Sequence, residues 1–267
     1  LLVAGFLPFA AQAEEKALRV FIRAGEKTHG PGAHEHERFL TDWSKLLRER
    51  GAVVDGALNF PTGEQIAACD VIVHYAANAG DLSEEQGKIL ADFQKRGGGQ
   101  VFIHDAVCSN DHGWFKTVTG GAWEHGHSRW FEGVIDIDYT MVDHPITKGA
   151  GDFKLEDEIY WKLHMMDESK VLACTNCEQA KGSPQMWAYE VGPARVFTSI
   201  PGHWYATFSL PQYRAILLRG IAWVGKRDVD SLTNAEEVAA LEAPEDALDL
   251  RKKSEALVRG QAPAAAE

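Results

Sequence analysis

Residues 29–37 read HGPGAHEHE and concentrate side chains that can bind a metal ion or move a proton. The nine positions hold three histidines (His29, His34 and His36) and two glutamates, interrupted by Gly, Pro and Gly. Imidazole and carboxylate groups bind zinc and similar divalent ions, and they are also common general bases. A solvated loop can carry the same residues without a function, so the interpretation depends on what else lies near them.

Other ligand-type residues stand at the ends of predicted buried strands. DVIVHYA, with His74, and QVFIHDA, with His104, are nearly unbroken apolar runs, as strands buried on both faces require. A single histidine in such a place is more often a hydrogen-bonded core residue. In open α/β sheets, however, ligands bind beyond the carboxyl ends of the strands. Because a third strand, ALRVFIRAG, leads into HGPGAHEHE, we expect several imidazoles at one edge of one sheet.

A second histidine-rich stretch, WEHGHSRWFEG, occupies residues 123–133. On an extended backbone, His125 and His127 point both rings to one side, as a chelating pair must. Trp123 and Trp130 flank the pair, and aromatic rings beside polar groups suit a sugar ring. The alternative is two loop histidines separated by a flexible glycine, with tryptophans that belong to the core.

The elements that must position these residues form an alternating pattern of strands and helices. Apolar runs predict strands at about 17–24, 52–58, 70–76 and 100–105, and segments with helical spacing separate them. This alternation predicts an α/β fold with a parallel, doubly wound sheet and right-handed crossovers. Further along, FEGVIDIDY alternates as a strand does, and PQMWAYEVGPARVFTSI predicts a hairpin that turns at Gly192-Pro193.

Residues typical of helix ends support these boundaries. Gly51 closes the helix that follows HGPGAHEHE, and Ser83 with Gln86 makes a capping box that opens the next one. PQYRAILLRGIAWVG predicts a final helix, with Pro211 in its first turn and Gly225 just past its end. The predicted architecture is a mostly parallel sheet followed by a C-terminal β-hairpin and helix.

Length and composition limit the class of protein. The chain has 267 residues, 45% hydrophobic and 25% charged, which fits one α/β domain with extensions better than two domains. Its formal net charge of −12 argues against nucleic acid and against an anionic membrane surface as partners. No apolar stretch is long enough to span a bilayer. The oligomeric state stays open, a homo-oligomer included.

The two ends of the chain differ from its middle. LLVAGFLPFAAQAEEK is typical of a secretory signal peptide: residues 1–13 form an apolar run ending in a small-x-small pattern. We therefore expect cleavage near Glu14 and a periplasmic or secreted protein, although a buried strand or helix is the alternative. In that compartment Cys174 and Cys177 either form a disulfide or stay as unreactive thiols. Residues 227–267 predict peripheral helices and a disordered QAPAAAE tail.

The most specific stretch is DHPITKGAGDFKLEDEIYW, residues 143–161. Its HPI followed by Gly149, and its acidic pair before Tyr160, resemble the pattern of the ThuA-like family, the trehalose-utilisation proteins. Two further stretches resemble the family: GGGQVFIHDA, and ARVFTSIPGHWYATFSLPQYRAILLRGIAW with its Pro-Gly-His at 201–203. The resemblance covers roughly residues 17–226, which we take as a ThuA-like domain.

The resemblance implies a flavodoxin-like fold of the class I glutamine amidotransferase type and a role in carbohydrate catabolism. Trehalose-pathway members of the family are linked to disaccharides oxidised at the 3-position. Carried over by motif, the candidate catalytic residues are His104, Glu158 and His203. The candidate substrate contacts lie in or beside the same motifs and strand ends: Tyr75, Asp105, Trp123, His125, His127, Tyr160 and Trp204.

The chain departs from the amidotransferase relatives of this fold where their nucleophile elbow would lie. FIHDAVCSN has His104-Asp105 at the strand end and no G-x-C-x-G, and Cys108 comes a few residues late. We therefore do not expect glutaminase chemistry. The histidines of HGPGAHEHE and WEHGHSRW exceed the family pattern, so their roles are inferred from chemistry alone.

These residues favour an enzyme that acts on a 3-keto-glycoside. A ketone at C3 acidifies the C2 proton, so a base can remove it, the C1 substituent can leave, and water can then add. The reaction needs a Lewis acid and a base, which several histidines and Glu158 could supply. The candidate metal ligands are His29, His34, His36, His104 and His203. Zn²⁺ is the first choice, and Mn, Fe, Ni or Co also suit imidazole and carboxylate.

A non-catalytic domain that binds a sugar or a metal ion is the alternative. Binding alone needs few ionisable groups, whereas this edge of the sheet collects many, which favours the enzyme. A generic metallohydrolase is a weaker hypothesis, because the sequence has no H-E-x-x-H helix.

Overall fold

The structure is a computed structural model that describes residues 16–140 and 142–260. The predicted signal peptide, residues 1–13, and the predicted disordered tail, residues 261–267, lie outside the described residues. The helices are α1 (His36–Glu49), α2 (Gly63–Ala68), α3 (Glu84–Lys95), α4 (His112–Thr119), α5 (Pro211–Val224), α6 (Ala235–Glu242) and α7 (Leu250–Arg259). The strands are β1 (Arg19–Ala24), β2 (Val53–Ala57), β3 (Val71–Tyr75), β4 (Gly99–Ile103), β5 (Gly121–Ala122), β6 (Arg129–Tyr139), β7 (Phe153–Trp161), β8 (His164–Met165), β9 (Lys170–Thr175), β10 (Ser183–Val191) and β11 (Ala194–Ser199).

Nine of these strands form one sheet in the order β2-β1-β3-β4-β11-β10-β9-β6-β7. The first five run parallel, so the four strands predicted at the start of the chain are confirmed as parallel neighbours. The remaining pairs are antiparallel. The sheet is therefore mixed rather than mostly parallel, because β9, β6 and β7 extend it beyond the turn that joins β10 to β11.

Helices cover both faces of the parallel half, as a doubly wound fold requires. On one face α1 contributes Phe39 and Trp43 to a core that also contains most of α5. On the other face Phe93 of α3 and Phe115 of α4 pack against Phe102 of the central strand β4. This double cover explains why β3 and β4 are fully buried along their length.

The predicted helix ends are confirmed. Ser83 caps α3, its side chain accepting from the backbone N–H of Gln86 while the Gln86 side chain accepts from the backbone N–H of Ser83. Helix α5 has Pro211 in its first turn and Gly225 at its C-terminal cap. Helices α2 and α4 were not predicted, because helices of six and eight residues are too short to show a clear apolar periodicity.

The residues after 227 form α6 and α7, and both pack on the domain rather than extend from it. Glu237 of α6 is fully buried and pairs with Arg50 at 3.0 Å and Arg214 at 2.7 Å. In α7, Ser254 accepts a hydrogen bond from the backbone N–H of Ala206 at 2.8 Å, next to the Pro-Gly-His segment. Helix α7 thus packs against the loop that follows β11.

Across residues 16–140 and 142–260, every helix is too short or too polar to span a bilayer.

Cys174 and Cys177 are free thiols in the structure, as are Cys69 and Cys108. Of the two alternatives for CTNC, the structure has the unbridged one.

Candidate functional site

The carboxyl ends of β1, β3, β4 and β11 meet at one edge of the sheet, where an α/β fold binds its ligands. The loops after β1 and β11 contact each other there: the backbone N–H of His34 donates to the carbonyl of His203 at 3.0 Å. Together they border a pocket of about 470 Å³. The predicted site residues that line it are His29, His34, Asp105, Trp123, His125, Glu158, Tyr160 and His203.

Three buried imidazole rings meet at the wall of this pocket, and we call them the three-histidine cluster: His34, His104 and His203. Nε2 of His34 lies 3.0 Å from Nδ1 of His203 and 3.1 Å from Nε2 of His104. Nδ1 of His203 and Nε2 of His104 are 3.3 Å apart. The three nitrogens form a nearly equilateral triangle. The structure thus confirms the predicted proximity of the HGPGAHEHE loop to His104 and His203.

The outer nitrogens of two rings decide where the protons are. Nδ1 of His104 lies 2.8 Å from the carbonyl oxygen of Ile200, which only accepts, so Nδ1 donates and Nε2 keeps its lone pair. Nδ1 of His34 lies 2.9 Å from Oδ2 of Asp105. Although burial opposes it, contact with His34 and His36 holds the pKa of Asp105 well below its usual range. Facing a carboxylate, Nδ1 of His34 donates, so the neutral form of this ring has its lone pair on Nε2.

Burial keeps the rings of His104 and His203 neutral. It lowers the pKa of His203 to about 3 and that of His104 well below its usual value, and the neighbouring His34 lowers both further. Nδ1 of His203 faces Nε2 of His34 at 3.0 Å and Nε2 of His104 at 3.3 Å, so a proton on Nδ1 is donated to one of them. With that proton on Nε2 of His203 instead, all three facing nitrogens are available to a metal, for which neutral imidazole is the binding form.

The triangle has the dimensions of one face of a metal tetrahedron. Metal–nitrogen bonds of about 2.0–2.1 Å place tetrahedral ligand nitrogens about 3.3 Å apart, close to the separations of 3.0 and 3.3 Å found here. The outer nitrogens of His34 and His104 have the carboxylate and carbonyl partners that metal-bound histidines usually have. Three protein ligands would leave a position for water or substrate, as in catalytic zinc sites. The cluster therefore fits a divalent ion such as Zn²⁺.

The backbone is unusual at all three ligand positions. His34 and His104 have φ values of 49° and 56°, in the left-handed region that non-glycine residues rarely adopt. Gly202, directly before His203, has φ of 138°, which strongly favours glycine. Residues held in such conformations cluster at functional sites. These dihedral angles could not be predicted from the motifs.

Asp157 positions His203 and was not among the predicted site residues. It is fully buried and accepts from the backbone N–H groups of His203 at 2.9 Å and Gly202 at 3.2 Å, as well as from the hydroxyl of Thr207. Burial raises its pKa to about 6, while these hydrogen bonds oppose the shift. The acidic pair Asp157-Glu158 of the family pattern was the available signal for it.

Strands β6 and β7 form a second wall of the pocket through two cross-strand pairs. Glu158 lies opposite Glu132, and Tyr160 lies opposite Trp130. Since side chains two apart on a strand share a face, all four line the pocket. Trp130 is 58% exposed at the rim. Neither Glu132 nor the strand register that brings it beside Glu158 was predicted from the sequence.

Glu158 lies beside two rings of the three-histidine cluster. Its two oxygens lie 3.7 Å from Nε2 of His104 and 3.7 Å from Nδ1 of His203. Burial raises its pKa to about 8, which the hydroxyl of Tyr160 opposes and the nearby carboxylates of Asp157 and Glu132 reinforce. A carboxyl group with a pKa near neutrality can both take up and return a proton.

The predicted chelating pair of His125 and His127 does not form. Gly126 has φ of 85° and turns the backbone, so the two rings diverge instead of sharing one side. His125 lines the pocket, with Nε2 3.0 Å from Oδ1 of Asn78. The ring of His127 lies beside that of His164, 5.0 Å away between centroids. Trp123, on the same loop, lines the pocket as predicted.

Other predicted site residues lie behind the pocket rather than in it. Tyr75 is fully buried, and its hydroxyl donates to the carbonyl of Gly202 at 2.6 Å. His36 is also buried, with Nε2 3.6 Å from Asp105, so it supports that carboxylate rather than the triangle. Trp204 packs edge-on against His203, with 4.8 Å between ring centroids.

His29 lies at the surface of the protein, whereas His74 lies in the core. His29 is exposed at the rim, with its ring centroid 3.8 Å from that of His34, and burial of part of the ring lowers its pKa. His74 is fully buried and stacks on Phe102 at 4.5 Å on the opposite face of the sheet, as a core histidine does. His29 is thus a neighbour of the three-histidine cluster, whereas His74 is not.

Cys108 borders the pocket but is a poor nucleophile. Burial raises the pKa of its thiol well above the usual value, and the carboxylates of Asp105 and Glu158 add to the shift. A thiol needs a lowered pKa to act as a nucleophile at neutral pH. The geometry agrees with the absence of a nucleophile elbow in the sequence.

Comparison with known proteins places the chain in a family. Residues 15–224 match the family model ThuA, described as trehalose utilisation. The chain belongs to the ThuA family. The search of curated proteins gave no significant match.

Solved structures share the ThuA-family fold. A ThuA-like protein from Parabacteroides merdae ATCC 43184 aligns with a TM-score of 0.64 and 16% identity, over 79% of this chain and 90% of that chain. One from Bacteroides uniformis ATCC 8492 aligns with a TM-score of 0.64 and 18% identity, over 81% and 95%. The β-galactosidase from Rahnella sp. R3 aligns with a TM-score of 0.57 and 15% identity, over 79% of this chain and 31% of that chain.

The ThuA match contains the three-histidine cluster and Glu158 but ends before α6. Part of the pocket wall nevertheless depends on α7. The guanidinium of Arg251 lies over the ring of Trp204, 5.3 Å from its centroid, and 3.5 Å from Oε1 of Glu132. This chain thus supports the family site with a segment outside the family match.

Proposed function

We propose that this ThuA-family protein is a metal-dependent enzyme that cleaves 3-keto-glycosides by elimination or hydrolysis. One observation carries the proposal: three imidazole nitrogens 3.0–3.3 Å apart form a triangle of candidate ligands beside Glu158, whose pKa is about 8. A ligand set and a proton-transfer group at one open pocket are the two components that this chemistry needs.

The pocket supports a sugar as substrate. Its volume of about 470 Å³ lies within the range of about 300–1,000 Å³ that is usual for small-molecule sites. Trp123 and Trp130 line it beside polar groups, and an aromatic face with polar neighbours suits a sugar ring. The family description, trehalose utilisation, points to the same class of substrate.

The residues around the triangle have separable roles. A divalent ion held by His34, His104 and His203 would supply a Lewis acid for the ketone of the substrate. Asp105 and the carbonyl of Ile200 hold two of the rings in the tautomer that presents Nε2. Asp157 fixes the backbone of His203. Asp105, Asp157 and the carbonyl of Ile200 orient the three rings and take no part in the reaction itself.

Glu158 moves the proton. Elimination breaks the C2–H bond and the C1–O bond: the proton passes to the Glu158 carboxylate, and the C–H electrons form the C1–C2 double bond. The same carboxyl group returns a proton to the departing oxygen, so the C1 substituent leaves as an alcohol. Water then adds across the double bond, which gives net hydrolysis. Tyr160, beside Glu158 and 3.3 Å from Nε2 of His104, holds the carboxyl group in place.

The test separates catalysis from binding. Protein reloaded with Zn²⁺ should release the C1 substituent from 3-keto-glucosides and exchange their C2 hydrogen in D₂O, as followed by NMR. Chelation and Glu158→Gln should each abolish the exchange, and Glu158→Gln should keep the metal. If the loaded protein binds the sugar without exchange or release, it is a binding domain and the enzymatic proposal is wrong.

We also propose that the protein acts in the periplasm or outside the cell. The apolar run and AQA pattern of residues 1–13 support this. N-terminal sequencing of the exported protein should begin near Glu14, and an exported protein that retains Leu1 would contradict the proposal.

A further inference from the structure

A second group of metal-binding side chains lies outside the pocket, and we call it the surface cluster: His112, Glu124 and His164. His112 begins α4, Glu124 lies in the loop between β5 and β6, and His164 lies in β8. Oε2 of Glu124 is 2.7 Å from Nε2 of His164 and 3.7 Å from Nε2 of His112. The three ligand atoms all lie within 4.8 Å of one another. The cluster thus joins three separate segments of the chain.

The geometry is that of ligands rather than of a chance surface contact. The rings of His112 and His164 are stacked, with centroids 4.5 Å apart and an angle of 27°, so both Nε2 atoms face the same carboxylate oxygen. Within residues 16–140 and 142–260, the ring of His112 has no hydrogen-bond partner apart from this contact with Glu124. Each side chain is 32–35% exposed, so solvent ions can reach the group.

The charges favour a cation. The hydrogen bond with His164 lowers the pKa of Glu124, and His112 and His127 lower it further, so its carboxylate is ionised at neutral pH. Two imidazoles and a carboxylate form a donor set that suits Zn²⁺ and similar borderline ions. The ring of His127, 5.0 Å from that of His164, is a fourth donor on the same loop as Glu124.

We propose that His112, Glu124 and His164 form a second divalent transition-metal site, separate from the three-histidine cluster. Its role is structural: an ion there ties the loop of residues 123–128 to α4 and β8. Oε2 of Glu124 lies 2.7 and 3.7 Å from the two Nε2 atoms, and these distances bracket the spacing of about 3.3 Å between ligand atoms of a tetrahedral site. The proposal does not depend on the sugar chemistry proposed above.

The loop of residues 123–128 connects the surface cluster to the pocket. Trp123 and His125 line the pocket, while Glu124, between them, belongs to the surface cluster. The two ends of the loop are already tied to the domain: the backbone N–H of Trp123 donates to the carbonyl of Val107 at 3.1 Å, and the hydroxyl of Ser128 donates to the carbonyl of Lys162 at 2.9 Å. Metal binding at the surface cluster would add a tie at Glu124, between the two pocket-lining residues.

Metal stoichiometry tests the proposal. Full-length mature protein is stripped with chelator, titrated with Zn²⁺ alone, and analysed for bound zinc by elemental analysis. We expect two equivalents for the wild type, one for His112→Ala/His164→Ala and one for His34→Ala. Glu124→Gln, which keeps the side-chain shape, should weaken the second equivalent at least about tenfold. His125→Ala, on the same loop but outside both clusters, should keep two equivalents.

Each outcome assigns the sites separately. If His112→Ala/His164→Ala and Glu124→Gln bind as much zinc as the wild type with the same Kd, the second site does not exist. If the wild type binds one ion that only His34→Ala removes, the surface cluster proposal is likewise overturned while the three-histidine cluster stands. One ion that only the surface variants remove would support the second site and contradict the metal in the proposed function. Zinc should also raise the Tm of the wild type more than that of His112→Ala/His164→Ala.

Discussion

The three-histidine cluster and the surface cluster use the same kinds of ligand but are built differently. In the three-histidine cluster every ring is buried, and the outer nitrogens of His34 and His104 face Asp105 and the carbonyl of Ile200. In the surface cluster the side chains are about one third exposed. Within the described residues, the rings of His112 and His164 contact Glu124 but have no such outer partner.

This difference matches the roles proposed for the two clusters, catalysis for the three-histidine cluster and stability for the surface cluster. Outer partners fix the tautomer and the orientation of each ring, and their loss typically costs about 10–100-fold in metal affinity or activity. Strained backbone at His34 and His104 further indicates that the fold holds these rings in place. The surface cluster has neither feature, so we expect it to bind more weakly and to affect turnover only through the loop of residues 123–128.

The largest expected effect is the loss of a ligand from the three-histidine cluster. His34→Ala should lower turnover of a 3-keto-glucoside by at least about a hundredfold, the usual scale for a catalytic group, and remove one metal equivalent. His29→Ala, in the same loop but exposed at the rim, should cost less than about tenfold. Steady-state kinetics and elemental analysis measure both. If His112→Ala lowers turnover as much as His34→Ala, the two clusters do not differ in role.

Asp105→Asn should have the next largest effect. It keeps the shape of the side chain but removes the charge that faces Nδ1 of His34, so the metal Kd should rise about 10–100-fold. Isothermal titration calorimetry measures this Kd. Asp81→Asn is the matched control, because this nearby carboxylate accepts hydrogen bonds from Asn110 instead. Equal Kd values for Asp105→Asn and the wild type would show that outer partners do not distinguish the clusters.

The strand ends of the three-histidine cluster were predictable because they depend on local patterns. Apolar runs identified β1, β3 and β4, and parallel strands bring their carboxyl ends together. That rule placed HGPGAHEHE near His104. The Pro-Gly-His motif added His203 by resemblance. Which histidine of the loop reaches the triangle depends on the φ of 49° at His34, and a motif carries no such information.

The second wall and the surface cluster were not predictable, because they depend on contacts between distant segments. Glu132 lies beside Glu158 only through the β6–β7 register. The pattern of WEHGHSRW predicted a chelating pair, but the turn at Gly126 separates His125 from His127. His164 approaches Glu124 because β8 pairs with β5, and strands of two residues leave no periodic signal in the sequence.

Proton release on metal binding should distinguish Glu158, beside the three-histidine cluster, from Glu124 of the surface cluster. Burial raises the pKa of Glu158 to about 8, so at pH 7 this group is mostly protonated without metal and should release about one proton when a dication binds beside it. Glu124 is already ionised, because its contact with His164 lowers its pKa, and should release none. The apparent metal affinity of the three-histidine cluster should therefore rise with pH up to about 8 and then level off.

Calorimetry in two buffers with different ionisation enthalpies measures this proton. Glu158→Gln should release about one proton fewer than the wild type at pH 7, and the difference should vanish above about pH 9. Glu124→Gln should release as many protons as the wild type. A Glu158→Gln variant that matches the wild type at pH 7 would mean that the carboxyl group is already ionised in the metal-free protein.

The smallest expected effect concerns the rim of the pocket, where neither cluster reaches. Trp130 is 58% exposed and offers an aromatic face to the sugar, so Trp130→Ala should raise KM by about two- to tenfold, the equivalent of roughly 0.5–1.5 kcal/mol. The kcat should stay the same, since Trp130 is at the exposed rim and belongs neither to the three-histidine cluster nor to the proton-transfer group. Val134→Ala is the matched control, because Val134 is an exposed apolar residue on the same strand that does not line the pocket. If Trp130→Ala lowers kcat instead of raising KM, the tryptophan acts on the geometry of the β6–β7 wall and hence on Glu158, rather than on substrate binding.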